Sequence, residues 1–340
     1  MRQHRLCNLI MGLVAAMVFT ACSSGTSNDQ RHTLATDAAT IDEVVAILER
    51  RLADVRGAKV EKQDLDGVPH IMVETNSRLA DQQELEDLLL RPGRLEFRKV
   101  DADNKALSEK ALIPGRTPNG FKVVTRERHR IEQSYLMAWN LKDWRAHPKI
   151  AEQFQLDLQD EAAFEAALAS PAFAEKIEQT LREYRPADKS DLMLQRSTHP
   201  KSGEILYQPY YVELQPRMKG DIVAKTKVTF EYGEIFLLLE FTQNGRKEFG
   251  KLSTRLSPNG DLAPPPDVLR SGQTIPVGAA LAAVLDGVLL TAPRINEPIL
   301  GGTAQITGDF TMDEANTLAR LLNAGEYPAP VTLKSYEKLP

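Results

Sequence analysis

The chain has 340 residues, with 42 Lys and Arg against 47 Asp and Glu, for a net charge of −5 and a pI near 5.8. An acidic balance with no basic patch excludes a nucleic-acid footprint. Only two cysteines occur, Cys7 and Cys22, so the fold must rest on its core rather than on disulfides, and the roughly 300 residues after Cys22 suffice for two modest domains.

The first residues, MRQHRLCNLIMGLVAAMVFTACSSG, carry Arg2 and Arg5 ahead of an apolar run from Leu9 to Ala21. That run is too short to span a bilayer and has the layout of a secretory signal. Phe19-Thr20-Ala21-Cys22 resembles the bacterial lipobox, in which cleavage before the cysteine is followed by its acylation; Phe19 departs from the usual Leu. The alternative is an ordinary signal peptide with Cys22 incidental. On the lipobox reading, Cys22 is the lipidation site and the lipid bilayer is a partner. Ser23 after Cys22 then favours the outer membrane over the inner, on its periplasmic side. Ser23 to about Asn28 is small and polar, as in a flexible tether. No later run reaches the length of a membrane helix, because Ile275 to Leu290 is interrupted by Gly278, Asp286 and Gly287.

Next comes TIDEVVAILERRLADV, with Thr40 and Glu43 at capping-box spacing and Ile41, Val44, Val45, Leu48, Leu52 and Val55 on one helical face. Asp66-Gly67 between two short β-type runs reads as a hairpin, with Ile71 and Val73 on one face. DQQELEDLLL reads as a second helix and GRLEFRKV as a further strand. The connection between the first strands is too short for a parallel crossover, so an α+β sandwich is expected.

From about Asp101 to Pro209 the composition changes, and both tryptophans, Trp139 and Trp144, precede DEAAFEAALASPAFAEKIEQTLREY. Ser170 before Pro171 is an N-cap followed by proline at the first helical position. Two or three helices are expected. They either bind a partner or simply pack Phe154, Phe164, Phe173 and Tyr184 on a neighbouring sheet. Three strands follow, EILYQPYYVEL, AKTKVTFEY and IFLLLEFT, then a helix through NGRKEFGKLSTRL and an irregular loop, SPNGDLAPPPDVLRSGQ. A hairpin across Asp286-Gly287, a strand TAQITG and a helix TMDEANTLARLLNAG close the pattern, with Thr311 and Glu314 as a second capping box and Gly325 as its stop.

No two of the six histidines lie at the i, i+4 spacing of a zinc pair, and neither a Gly-x-Ser-x-Gly elbow nor a phosphate-binding Gly-x-x-x-x-Gly-Lys loop occurs. No metal, no cofactor and no catalytic residue is expected, although paired carboxylates among Asp286, Glu297 and Asp309, near Asn296, stay open. A structural reading covers the same residues. Asp286-Gly287 supplies the positive φ values of a type I′ turn, Pro293 and Pro298 stiffen an extended segment, Asn296 can satisfy loop amides, and Gly301-Gly302 lets the chain reverse.

The stretch LAAVLDGVLLTAPRINEPILGGTAQITGDFTMDEANTLARLLNAGEYPAP resembles the head of the first periplasmic domain of SecD, the membrane subunit that assists bacterial protein export. IFLLLEFTQNGRKEFGKLS is similar to the strand and helix before that hairpin. ILERRLADVRGAKVEKQ and LEDLLLRPGRLEFRKV resemble the base of the same domain. The resemblance implies an α+β fold: a SecD-like base, a ferredoxin-like α/β sandwich, plus an α+β head, here with a helical insertion. The expected division is a signal peptide at 1–21, a tether at 22–34, a base-like unit at 35–102, the helical insertion at 103–205, and the head with a C-terminal tail at 206–340. Asp103 to Pro200 and Ser257 to Thr274 have no recognised counterpart, and the family's transmembrane motor is not in these residues, so ion-driven transport by this chain alone is not expected.

The function implied is that of a non-catalytic envelope lipoprotein accessory to protein export. Its partners would be a polypeptide substrate or Sec translocase components, bound near Asp286, Gly287, Pro293, Asn296, Glu297, Pro298, Gly301 and Gly302. The alternative is an envelope scaffold that has lost the export role and binds a glycan or a specific partner. A hydrolase would need clustered acid-base residues in a pocket.

Overall fold

The structure, a computed structural model, describes residues 29–55, 57–76, 82–101, 117–128, 131–181, 190–198, 203–231, 233–268 and 272–339. Its first unit is built from β1 (Asp29–Ala35), α1 (Ile41–Arg51), β2 (Lys59–Leu65), β3 (Val68–Asn76) and α2 (Gln82–Leu90). Its fourth strand, β17 (Thr332–Lys338), arrives from the far end of the sequence and pairs antiparallel with β1. The order β17-β1-β3-β2, antiparallel throughout, is the ferredoxin-like arrangement of two β-α-β halves. The apolar face of α1 (Val44, Ile47, Leu48) and that of α2 (Leu85, Leu88, Leu89) close over Leu34, Ile71 and Val73. Asp66 and Gly67 have φ of 56° and 80°, the two left-handed residues that a tight hairpin between β2 and β3 requires.

Three expectations for this unit change. Residues 29–34, placed in the tether, form most of β1, because their backbone pairs on both sides and the inward His32 and Leu34 are buried. Residues 22–28, Cys22 included, lie outside the described residues, as does the signal segment. Thr40 makes no capping box: its φ of −111° and ψ of 0° turn the side chain away from the helix amides, and its hydroxyl donates to Asp37 O instead. The strand GRLEFRKV, read as completing this unit, belongs to another sheet.

That strand is β4 (Leu95–Lys99). It is followed by β5 (Phe121–Arg128), β6 (Ile131–Ala138), α3 (Leu141–Ala146), α4 (Pro148–Gln153), α5 (Glu161–Ala169), α6 (Pro171–Leu181), β7 (Ser190–Thr198) and β8 (Ile205–Glu213). The stretch from 103 to 205 holds the expected helices, and it also supplies the unexpected strands β5, β6 and β7, which join the expected strand β8 in a four-stranded sheet, β5-β6-β8-β7, with helices on one face. Side chains of Asn140, Asp160 and Ser170 cap three of these helices. Phe121, Trp144, Phe154, Phe164, Phe173 and Tyr207 form the core between helices and sheet; Tyr184 lies outside the described residues. The other face of β7 and β8 packs Met193 and Val212 against the strands that follow.

The remaining elements are β9 (Met218–Lys219), β10 (Val223–Glu231), β11 (Glu234–Phe241), α7 (Gln243–Leu256), β12 (Asp267–Val268), β13 (Thr274–Ile275), β14 (Leu281–Leu285), β15 (Val288–Thr291), β16 (Thr303–Thr307) and α8 (Met312–Ala324). They make a sheet β10-β11-β16 and a sheet β15-β14-β4-β9, the latter recruiting β4 from upstream. Their shared core holds Leu237, Leu239, Phe249, Leu252, Leu281, Leu285 and Ile306. Thr311 and Glu314 form the expected capping box, and Gly325, at φ 91°, ends α8. α8 serves two cores: Ala315, Leu318 and Ala319 pack in this one, and Leu321 and Ala324 pack in that of the first unit.

Candidate functional site

Asp286 and Gly287 have φ of 53° and 83°, so the expected turn joins β14 to β15. The Asp286 carboxylate is 8% exposed and spent on scaffolding. Oδ1 accepts from Arg94 N at 2.7 Å and Oδ2 from Arg91 Nε at 3.1 Å, while Asp286 N donates to Arg94 O at 2.9 Å. The turn is thereby fastened to the connection between α2 and β4.

Downstream, Leu281 N donates to Pro293 O and Ile295 N donates to Ala279 O, so the segment after Pro293 runs along the start of β14 with Ile295 buried. The approach is close enough that a Cβ on Gly278 would sit 1.8 Å from Ile295 O. The chain then lies along α7, where Ile299 N donates to Ser253 Oγ at 2.9 Å and Arg246 Nε donates to Leu300 O at 3.0 Å. Gly302, at φ 85°, reverses it into β16. Pro293, Asn296, Glu297, Pro298 and Gly301 are exposed. Asn296, expected to satisfy loop amides, makes no side-chain hydrogen bond among the described residues, because the amides that need acceptors are met by Ser253 and backbone carbonyls. Asp309 accepts from Thr198 N at 2.6 Å. Each polar residue considered for chemistry thus has its own surroundings. Among the described residues no group of three or more His, Cys, Asp or Glu could hold a metal ion.

Sequence reading missed the junction around Arg51. This side chain is fully buried and donates to Leu88 O, Arg91 O, Pro92 O and Gly325 O, at 2.6 to 3.2 Å. These acceptors are the terminal carbonyls of α2 and α8 and the residues just beyond, where the helix dipole is negative. Burial holds the Arg51 guanidinium below its usual pKa. Burial likewise pushes the Tyr327 phenol up to about 12, with its O–H donating to Leu89 O. Arg50 donates to Ala324 O. The signal was present: Arg51 falls three residues after Leu48 on the apolar face of α1, an unpaired charge at a core position.

A cleft of about 160 Å³ opens in the middle unit, lined by Trp139, Asn140, Lys122, Glu165, Glu204 and Tyr207 among others. It is smaller than sites that enclose a drug-sized ligand.

Residues 195–329 match the family model described as SecDF, P1 head subdomain. This part of the chain is SecD-like. The Protein translocase subunit SecD of Rickettsia bellii (strain RML369-C) is 58% identical over 57 residues, 17% of this chain and 11% of that protein. The SecD subunit of Rickettsia conorii (strain ATCC VR-613 / Malish 7) is 31% identical over 160 residues, 46% of this chain and 26% of that protein. The chain thus matches about a quarter or less of these relatives' length. The crystal structure of SecDF in super-membrane-facing form aligns over 91% of this chain and 30% of its own, with a TM-score of 0.50 and 20% identity, a likeness of fold. That span takes in most of the middle unit, for which sequence alone offered no SecD counterpart. Among the described residues no helix is long and apolar enough to cross a membrane.

Proposed function

We propose that this protein is a non-catalytic, polypeptide-binding accessory to protein export, acting on the periplasmic side and held to the outer membrane through acylated Cys22. The match of residues 195–329 to the SecDF P1 head carries the reading, and the relatives named as translocase subunits supply the export context. The use of Asp286 and the Pro/Gly segment as scaffold, with Asn296, Glu297, Pro298 and Gly301 left at the surface, supports binding over catalysis. The partners are an unfolded polypeptide or Sec translocase components. The test is a titration of the purified protein into a labelled, reduced and alkylated polypeptide that cannot fold. Saturable binding without turnover is expected, and an absence of binding would overturn the reading. The anchor is tested separately: Cys22→Ser should move the protein out of the membrane fraction, and its retention there would sink the lipid attachment.

A second reading, an envelope scaffold that binds a glycan, is favoured by one observation. The middle cleft is lined by Trp139 together with Asn140, Glu165 and Lys122, an aromatic residue among polar ones. Trp139→Ala would abolish glycan binding on this reading and leave polypeptide binding intact on the first.

A further inference from the structure

β10 is an outer strand of the sheet β10-β11-β16, α8 packs against it, and one residue of its outer edge is already held. The carboxamide of Asn323, near the end of α8, accepts from Thr226 N at 2.7 Å and donates to Thr226 O at 2.9 Å. One residue of a neighbouring antiparallel strand would make this same pair of bonds through its own C=O and N–H, so the side chain stands in for one rung of an added strand.

The position of that rung fixes the rest of the edge. Thr226 directs both backbone groups outward, so Thr226 and Leu239 form a pair that does not exchange hydrogen bonds within the β10–β11 ladder. Antiparallel pairs alternate, which gives Val228 (opposite Leu237) and Phe230 (opposite Ile235) the same outward N–H and C=O. The two-residue connection between Glu231 and Glu234 sets the same parity from the other end. Among the described residues no group meets the outward amide or carbonyl of Val228 or Phe230. The Phe230 side chain beside them is 62% exposed.

We propose that the edge of β10 from Val228 to Glu231 takes up an extended segment of unfolded polypeptide as an added strand. Phe230 holds an apolar side chain of the segment, and Asn323 marks where the added strand stops. This rests on the polypeptide-binding reading above and supplies its location and its mode. Main-chain pairing is indifferent to sequence, which suits a site that must accept many clients. Asn323 blocks the inner part of the edge, and Lys225 and Lys227 on the neighbouring positions discourage pairing between two copies of this chain.

Two measurements test it. Phe230→Pro deletes an outward N–H and the exposed ring but no bond of the β10–β11 ladder, so its melting temperature should match that of the unchanged protein. Its affinity for the labelled, alkylated polypeptide should fall about tenfold or more, the loss of one hydrogen bond and one apolar contact. Hydrogen exchange on the unsubstituted protein needs no variant: the amides of Val228 and Phe230 should exchange quickly alone and slow on adding the polypeptide. Should the protein bind the polypeptide while Phe230→Pro binds equally well, or the two amides stay unprotected, the edge is not the site. Failure of the unsubstituted protein to bind at all would overturn the polypeptide-binding reading itself.

Discussion

The Arg51 guanidinium lies 3.8 Å from the centroid of the Tyr327 ring, so a residue of the first helix stacks on one that follows the last. Around this pair the chain crosses between base and head twice, and the crossings are joined by Tyr327 N donating to Pro92 O and by Arg94 pairing with Glu326. With α8 packed into both cores, base and head are held together by one helix and one buried cation. Arg51→Met keeps the bulk but takes the guanidinium donors from Leu88 O, Arg91 O and Gly325 O, Pro92 O keeping only Tyr327 N, and should cost about 3 kcal/mol or more in urea unfolding. Arg51→Lys should recover only part of this, because an ammonium cannot fork across carbonyls from two helix ends. Variants within about 0.5 kcal/mol of the unsubstituted protein would remove Arg51 from this role.

Stability should fall on both sides of neutrality for separate reasons. Tyr327 has its folded pKa raised to about 12 by burial, so its contribution is complete below the unfolded value near 10 and lost as pH rises toward the folded value. His32 is 1% exposed, neither ring nitrogen has a hydrogen-bond partner among the described residues, and burial depresses its pKa against a smaller opposing effect of Glu86. Its contribution is present above the unfolded value near 6.5 and declines as pH falls below it. His32→Phe, which keeps a ring against Tyr336, should flatten the acid side of a melting-temperature profile and leave the alkaline side unchanged.

The Pro/Gly segment offers a contrast between two glycines. Gly278→Ala drives a Cβ to 1.8 Å from Ile295 O, a backbone atom that cannot swing aside, and should cost about 3 kcal/mol, at the upper end of overpacking losses. Gly301 has open space around its Cβ position and no positive φ, so Gly301→Ala should stay within about 0.5 kcal/mol. Equal effects in chemical denaturation would contradict the packing described for the segment.

Asp286 separates turn from charge. Asp286→Asn keeps a residue tolerant of left-handed backbone and an acceptor for Arg94 N, and should cost about 1 kcal/mol through its weakened contact with Arg91. Asp286→Ala loses both acceptors at a positive φ and should cost about 2 kcal/mol or more. Circular dichroism melts of the two variants distinguish these outcomes.

Much of the head was legible because its signals are local. Asp286-Gly287 can hardly be anything but a tight turn, and Thr311 reaches Glu314 N as its spacing implies. Thr40 shows the limit of the same argument, since the cap depends on a backbone angle that spacing does not specify. The middle strands β5 and β6 were hidden by charged residues, and their burial comes from helices that arrive later in the chain. β17 is exposed along its whole length and carries no apolar alternation. Its place as fourth strand of the base follows from pairing with β1 across some 300 residues, which no local pattern encodes. Asn323 on Thr226 is likewise a tertiary contact, invisible in a helix that otherwise reads as ordinary.

The most direct test of polypeptide binding by the SecD-like head is site-specific photo-crosslinking, with a photoreactive residue at position 230 on the β10 edge or at position 62 on the outer strand of the base. In secreting cells, position 230 should capture unfolded exported chains and position 62 should not. Equal capture at both positions, or none at 230 while exported chains are abundant, would contradict the account.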